Sequence, residues 1–199
     1  MKRVGKFTVI ICLCIVFLSG CGETKVPDVV DKPTVSVGKN GEVTVWQIGE
    51  FEKAYYNAAE LAAMAEQEAA AYNAEKGKEA AVTIEKVEPL EGGRVTVVYR
   101  FDGWETCSDY MGETFFFGTV KDAETNGFDT GTGDVSMISV KDGSVRTTWD
   151  AAEKVLITDM KADIYCPGRV EYISEGASVN ADGSIRPSQE EGPVYILLK

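Results

Sequence analysis

The strongest constraint on the fold is that short β-branched and aromatic runs alternate with turn residues along most of the chain. Runs of this length, bounded by Gly, Pro, Asn and Asp, are typical of strands. The predicted strands are Thr34–Val37, Val43–Ile48, Ala81–Val87, Arg94–Phe101, Phe115–Val120, Val135–Val140, Val145–Thr148, Val155–Thr158, Ile164–Cys166, Arg169–Ser174 and Val194–Leu198. The loops between them are mostly of hairpin length, which predicts a mainly antiparallel sheet.

Two strand pairs carry the clearest hairpin signals. Asn40-Gly41 separates the first two runs, and Asn-Gly is the dipeptide that a tight hairpin turn prefers. Pro89 to Gly93 separates the next two runs, and in the second of these the alternate residues are all apolar or aromatic. Both pairs are therefore predicted to form hairpins.

One long segment breaks the strand pattern. From Glu50 to Lys76 the chain is rich in Ala and Glu and has neither Gly nor Pro, which favours a helix. Its apolar stripe comprises Phe51, Tyr55, Ala58, Ala62, Ala65, Ala69 and Tyr72. Packing on the protein's own sheet is favoured over a coiled-coil partner, because alanine supplies little knob volume. The predicted fold class is therefore α+β, with one long N-terminal helix packed on a mainly antiparallel β-sheet.

Three shorter segments connect the predicted elements. The segment from Asp102 to Gly112 is predicted as a short helical turn or a loop over the core. Asp150, with Glu153 three residues later, resembles a capping box for one helical turn. The segment from Asp122 to Asp134 is predicted as a polar loop.

The N-terminus has the order of features found in exported proteins. Lys2, Arg3 and Lys6 precede an apolar run from Phe7 to Leu18, which is too short for the roughly 20 residues that a membrane-spanning helix needs. The run ends in Leu18-Ser19-Gly20-Cys21, which resembles the lipobox of bacterial lipoproteins. This resemblance covers residues 1–21 and implies cleavage before Cys21 and a diacylglycerol on its sulfur.

The lipobox resemblance implies a division of the chain and a location. Residues 1–20 are expected to be a signal peptide, residues 21–33 a lipidated cysteine with its tether, and residues 34–199 one folded domain. Acyl chains such as palmitate, each methylene contributing about 0.8 kcal/mol, would hold that domain on the extracytoplasmic face of the cell membrane. The membrane is thus the first expected partner.

Charge and composition exclude several classes of function. Cleavage before Cys21 removes three basic residues and no acidic ones, so the formal net charge changes from −12 to −15. Such a domain repels nucleic acid. The chain contains no histidine, which excludes imidazole-dependent hydrolase triads and most zinc hydrolase sites. It also has no phosphate-binding Gly-rich loop, CxxC pair or serine elbow.

Two cysteines remain in the mature body. Cys107 and Cys166 either form a disulfide outside the cytoplasm or stay as two separate buried thiols. The second alternative is slightly favoured, because spacing alone does not bring two cysteines into bonding distance.

One acidic segment imitates the start of a calcium loop. Oxygen-bearing side chains recur at alternate positions before Gly127, and the candidate ligands are Asp122, Glu124, Asn126, Asp129 and Asp134. The twelfth position of the loop is Gly133, which has no carboxylate. A polar connecting loop is therefore favoured over Ca²⁺ binding, and no other cofactor is expected.

One tryptophan is a candidate for ligand contact. Trp104 follows a glycine and adjoins Glu105 and Asp109, with Glu113 further along. A platform of this kind stacks on sugars or peptides, although most tryptophans lie in cores or on sheet faces.

Three functions follow from these observations. The first, and favoured, is a non-catalytic membrane-anchored module that binds an extracellular or envelope protein or glycan. The second is a solute- or calcium-binding lipoprotein. The third is a carboxylate-based hydrolase, which requires a concave site that gathers two acids near Trp104.

Overall fold

The computed structural model describes residues 25–53, 55–130, 135–188 and 192–199, so the expected signal peptide and Cys21 lie outside the described residues. The described chain forms thirteen strands and three helices. They are β1 (Thr34–Val37), β2 (Val43–Glu50), α1 (Ala58–Lys76), β3 (Val82–Leu90), β4 (Arg94–Phe101), α2 (Trp104–Met111), β5 (Phe115–Thr119), α3 (Val120–Thr125), β6 (Met137–Ser139), β7 (Val145–Arg146), β8 (Lys154–Thr158), β9 (Asp163–Tyr165), β10 (Val170–Ser174), β11 (Ala177–Val179), β12 (Ile185–Pro187) and β13 (Val194–Leu198).

The strands form two sheets. Sheet A has seven strands in the order β11-β12-β9-β1-β2-β4-β3, and sheet B has six in the order β5-β8-β13-β10-β6-β7. Neighbouring strands are antiparallel except for β1 and β9, which run parallel. The predicted hairpins β1–β2 and β3–β4 are confirmed, and both lie in sheet A.

The two sheets share one hydrophobic core. Val35 and Val45 of sheet A belong to the same buried cluster as Leu156 and Ile196 of sheet B. Alternate residues of sheet B face the other way and bury a second cluster, which includes Ile157, under α3. Because side chains alternate between the faces of a strand, sheet B is apolar on both sides. We call the face of sheet A that carries Val35 and Val45 its inner face.

The predicted fold class is wrong. A single sheet with one long N-terminal helix was expected as an α+β fold, whereas the protein is β-rich, with two sheets. The sequence pattern identified eleven of the thirteen described strands and missed β11 and β12, and it did not show how the strands divide between two sheets. Both faces of β8 and β13 are buried, and a strand buried on both faces reads as a continuous apolar run rather than an alternation.

Helix α1 begins eight residues later than the predicted start at Glu50. The side chain of Asn57 accepts hydrogen bonds from the backbone N–H groups of Ala59 and Glu60, at 2.8 and 3.3 Å, which fixes the N-cap there. Phe51 and Tyr55 therefore lie outside the helix, and the predicted stripe is wrong at these two positions. The other end agrees with the sequence, because Gly77 adopts a left-handed conformation with φ of 66°.

The connecting segments are more regular than expected. The segment after Asp102 forms the helix α2, and the segment predicted as a polar loop begins with the helix α3. Thr119 and Asp122 form a capping box at the start of α3, with reciprocal hydrogen bonds of 3.1 Å. The predicted capping turn at Asp150 forms, since the Glu153 carboxylate accepts from the Asp150 N–H at 2.8 Å.

Candidate functional site

Two of the three residues predicted as a ligand platform, Trp104 and Asp109, contact other parts of the protein. The ring of Trp104 packs edge-on against Phe116, with 4.7 Å between centroids. The Asp109 carboxylate accepts a hydrogen bond from the Tyr72 hydroxyl at 2.7 Å and pairs with the Lys76 ammonium at 2.7 Å. Glu105 is exposed on the first turn of α2. The half-buried side chain of Trp104 thus packs against the core, and Asp109 ties α2 to α1.

Two of the predicted calcium ligands lie in a helix rather than in a loop, while Asp129 lies beyond that helix. Asp122 and Glu124 lie in α3, two residues apart, and therefore on nearly opposite sides of the helix. The Asp122 carboxylate already accepts from the Thr119 hydroxyl at 2.6 Å, and Asn126 caps the helix. Asp134 lies outside the described residues. Among the residues that the structure describes, no three acidic or cysteine side chains gather as metal ligands. Calcium binding stays a prediction.

Cys107 and Cys166 are both buried, and both are free thiols. Burial raises the pKa of each thiol to about 12, so neither is a thiolate at neutral pH. The two thiols are separate and buried in this structure, and the choice between pairing and separate thiols outside the cytoplasm stays a prediction. Such thiols are core residues and not nucleophiles.

The inner face of sheet A is uncovered at one end. Along β2, Val43 is fully buried and Val45 is 3% exposed, but Gln47, the next residue on that face, is exposed. Its partner on β4 is Val97, which is buried again. A polar, exposed residue at an inner-face position marks a place where none of the described elements covers the sheet. Two clefts meet at this residue.

The first, which we call the aromatic cleft, has a volume of about 540 Å³. It lies between β2, β4 and the start of α1, and its apolar lining includes Phe51, Tyr55, Tyr56, Leu61, Met64 and Val97. The rings of Phe51 and Tyr56 stack at 5.1 Å, and Tyr55 meets Tyr56 edge-on at 5.0 Å. Tyr55 is nevertheless 76% exposed and Met64 is 67% exposed. The cleft is therefore open to solvent and lined by large apolar groups.

The second, which we call the acidic cleft, has a volume of about 470 Å³. Its lining includes Trp46, Met111, Glu113, Asp159 and Lys161. The Asp159 carboxylate accepts a hydrogen bond from the backbone N–H of Thr114 at 2.8 Å, which fixes its position at the cleft wall.

Glu113 is the carboxyl whose ionisation the acidic cleft alters. Although the residue as a whole is exposed, partial desolvation of its carboxyl raises its pKa, and the nearby charge of Asp159 adds to this rise. The ammonium group of Lys161 opposes it. The part of the pKa rise that comes from Asp159 reflects two negative carboxylates close together, and their charge would attract a positive group that enters the cleft.

Gln47 and Ile48 line both clefts, so the two are neighbours on the sheet. We refer to them together as the groove. From the sequence, Glu113 was expected among the acids near Trp104, and Phe51 and Tyr55 were expected on the helix stripe that packs on the sheet. The Asn57–Glu60 spacing, an N-cap residue followed three residues later by Glu, is the signal that separates these aromatics from the helix.

Comparisons with family models, with curated proteins and with solved structures find no match for this chain. Among the described residues, no helix is both long and apolar enough to cross a membrane.

Proposed function

We propose that this chain is a membrane-anchored extracytoplasmic lipoprotein whose folded body binds a ligand in the groove without catalysing a reaction. The observation that carries the binding function is the open end of the inner face of sheet A, where exposed aromatic side chains adjoin a pair of carboxylates. Each cleft has a volume in the range of known ligand sites, roughly 300 to 1,000 Å³.

The exposure of the aromatic cleft supports a binding role over a purely structural one. Tyr55, Tyr56 and Met64 are large apolar residues that gain little stability where they stand, because much of their surface stays in water. Grouped apolar exposure on a strongly acidic, soluble body is typical of an interaction site. The groove therefore supports recognition of a ligand that has both apolar and polar parts.

The anchor is tested through Cys21. The wild-type precursor and the Cys21→Ala variant are expressed in a bacterial host, and membranes are separated from soluble material. We expect wild type in the membrane fraction, with a mass increase that corresponds to acylation, and the variant without that increase and released from the membrane. Equal membrane retention of both proteins would exclude the lipid anchor.

The binding function is tested by thermal shift of the purified mature lipoprotein with calcium chloride, wall-derived glycans and short peptides. Any ligand of the native state raises the melting temperature. We expect at least one glycan or peptide to do so, and the rise to be reduced by Tyr56→Ala or Glu113→Gln. The matched controls are Val145→Ala and Glu124→Gln, which change exposed residues outside the groove. A panel without any shift, or a shift that both groove variants retain in full, would contradict the proposal.

A carboxylate-based hydrolase is the second candidate, because Glu113 and Asp159 share a cleft and the pKa of Glu113 is raised. A raised carboxyl pKa is what a general acid requires. Chromogenic glycosides and esters provide the assay. Turnover that Glu113→Gln abolishes while Glu124→Gln preserves it would favour this candidate over the binding module.

A further inference from the structure

We propose that the ligand of the groove is an extended basic segment of another polypeptide, which adds as a strand to the free edge of β2 at Ile48–Glu50. This inference rests on the proposed function, and it names the class of ligand for the same groove. Four observations carry it: an unpaired strand edge, the direction of its hydrogen-bonding groups, the position of the two clefts, and the charge around them.

The edge of β2 is unpaired because β1 is shorter than β2. β1 pairs with Val43 to Trp46 only, and it begins at Thr34, opposite Trp46. On its other side β2 pairs with β4 along its whole length, from Val43 to Glu50. In the described part of the chain, the last four residues of β2 thus have a strand on one side only. Such an edge is a template for pairing with another chain.

The free backbone groups belong to Ile48 and Glu50. The N–H of Phe51 donates to the carbonyl of Gly93 at 2.6 Å, which places Phe51 among the residues that bond towards β4. Bonding direction alternates along an antiparallel strand, so Gly49 also bonds towards β4 and its two neighbours bond away from it. Ile48 and Glu50 therefore present two N–H and two C=O groups to the open edge.

The described residues before β1, 25–33, do not pair with this edge. The carbonyl of Asp31 accepts a hydrogen bond from the Arg94 guanidinium at 2.7 Å. Val95 and Val97 lie on the inner face of β4. Because successive residues of a strand point to opposite faces, the side chain of Arg94 is on the outer face. The chain before β1 thus passes across the outer face of sheet A.

The two clefts lie where the side chains of an added strand would project. The acidic cleft is lined by Trp46 and Ile48 from one face of β2 and by Val45 and Gln47 from the other, so it extends around the strand edge. The aromatic cleft is lined by Gln47 to Phe51 and continues along the same strand. A peptide paired with this edge directs alternate side chains to opposite faces, and at this edge both faces border a cleft.

Charge selects a basic peptide with an apolar residue. Among the described lining residues, the groove has four carboxylates, those of Glu50, Glu60, Glu113 and Asp159, and one ammonium group, that of Lys161. A lysine or arginine of the peptide gains attraction from these carboxylates and from the exposed tyrosine faces. A second copy of this chain is disfavoured as the occupant, because it carries the same strongly negative charge.

The test uses a set of terminally blocked eight-residue peptides built on alternating valine and threonine. Each peptide carries one lysine and one phenylalanine, and the set covers every pair of positions for these two residues. The tightest binder to the purified mature lipoprotein is selected, and its affinity is measured by isothermal titration calorimetry. It is then remade twice, with N-methyl groups on alternate residues in one phase or the other. N-methylation removes backbone donors and leaves every side chain in place.

Strand addition predicts that only one phase of N-methylation matters. The phase that faces β2 should weaken binding at least about tenfold, because it leaves edge carbonyl groups unpaired, and the other phase should stay within about twofold. Equal effects of the two phases, or no measurable binding by any peptide, would overturn the inference.

Variants of the protein place the peptide in the groove. Tyr56→Ala should weaken the parent peptide but not a version whose phenylalanine is alanine, and Glu113→Gln should act only when the lysine is present. Val145→Ala and Glu124→Gln should leave both affinities unchanged. If no peptide binds while a glycan still gives a Tyr56-dependent thermal shift, the peptide inference fails and the proposed function stands. If neither gives a signal, both fail.

Discussion

Helix α1 has a cluster of aromatic side chains near each end, and the two clusters have opposite surroundings. Towards its C-terminus, Tyr72 meets Tyr110 edge-on at 5.1 Å, and Tyr110 contacts Tyr99 and Phe101 at 5.9 and 5.7 Å. Phe101 is fully buried there. Before its N-terminus, the ring of Tyr56 contacts those of Phe51 and Tyr55, and all three stay in contact with solvent. We call these the closed and the open cluster.

The comparison shows that an aromatic side chain in this protein takes its role from whether another element covers it, and not from being aromatic. Helix α2 supplies Tyr110 to the closed cluster, and the carboxylate of Asp109 ties α2 to α1 through Tyr72 and Lys76. The open cluster has no equivalent lid among the described residues. Burial of the closed cluster stabilises the fold, whereas the apolar surface of the open cluster stays available for a ligand.

The largest expected effect is on the closed cluster. Phe101→Ala removes a fully buried ring and leaves a cavity between sheet A and α2, so we expect a loss of about 3 to 5 kcal/mol in the free energy of unfolding. Urea denaturation measures it. A loss below about 1 kcal/mol would mean that the closed cluster is not part of the stabilising core.

The next effect concerns the polar contact that fixes α1 to sheet A. The buried side chain of Asn73 donates to the Val82 carbonyl and accepts from the Val82 N–H, both at 2.8 Å. Asn73→Ala leaves both backbone groups unpaired, and we expect a loss of about 2 kcal/mol.

The matched comparison is Asn57→Ala at the open end of the same helix. It removes an exposed N-cap and should cost about 1 kcal/mol. Urea denaturation of both variants ranks the two ends. Equal losses would contradict the view that α1 is held mainly at its closed end.

The two ends of the helix also show what the sequence could and could not predict. The hairpins, the buried strands and the C-terminal stop of α1 at Gly77 follow from local patterns, because turn residues and side-chain alternation act over a few positions. The division into two sheets depends on contacts far apart along the chain, such as β9 with β1. No periodicity in the sequence encodes that pairing.

The groove was unpredictable for a related reason. Glu113, Asp159 and Gln47 are distant in sequence and meet only because α2, the segment after β8 and β2 converge. Tyr55 fits the helical stripe as well as Ala58 does, and it is the cap at Asn57 that separates them. Local patterns thus identified elements, while the candidate site arises where elements end.

Acid titration distinguishes the two regions by the sign of its effect. Hydrogen bonds from Lys76 and Tyr72 lower the pKa of Asp109, so its stabilising contribution is present above the ordinary value of 3.8 and is lost as the pH falls through the lowered pKa. The pKa of Glu113 is raised mainly by desolvation, so its contribution is present below 4.5 and is lost as the pH rises through the raised pKa.

Two amide variants therefore have opposite consequences at pH 7. Asp109→Asn should lower stability, and the deficit should shrink as the pH falls through the lowered pKa of Asp109. Glu113→Gln should raise stability at pH 7, and the gain should disappear below about pH 4. Because Glu113 is largely solvent-screened, the gain should be roughly half a kcal/mol or less. Melting temperatures across the pH range measure both, and effects of equal sign would contradict the assignment.

The smallest effect on stability is expected in the open cluster. A small effect there is what distinguishes the open cluster from the closed one. Tyr55 is 76% exposed, so Tyr55→Ala removes little buried surface and should change the free energy of unfolding by less than about 0.5 kcal/mol. The same substitution should still weaken peptide binding, because the exposed ring lines the aromatic cleft. A variant that loses stability and binding in proportion would show that the open cluster is core after all, whereas lost binding at unchanged stability separates a recognition surface from a structural one.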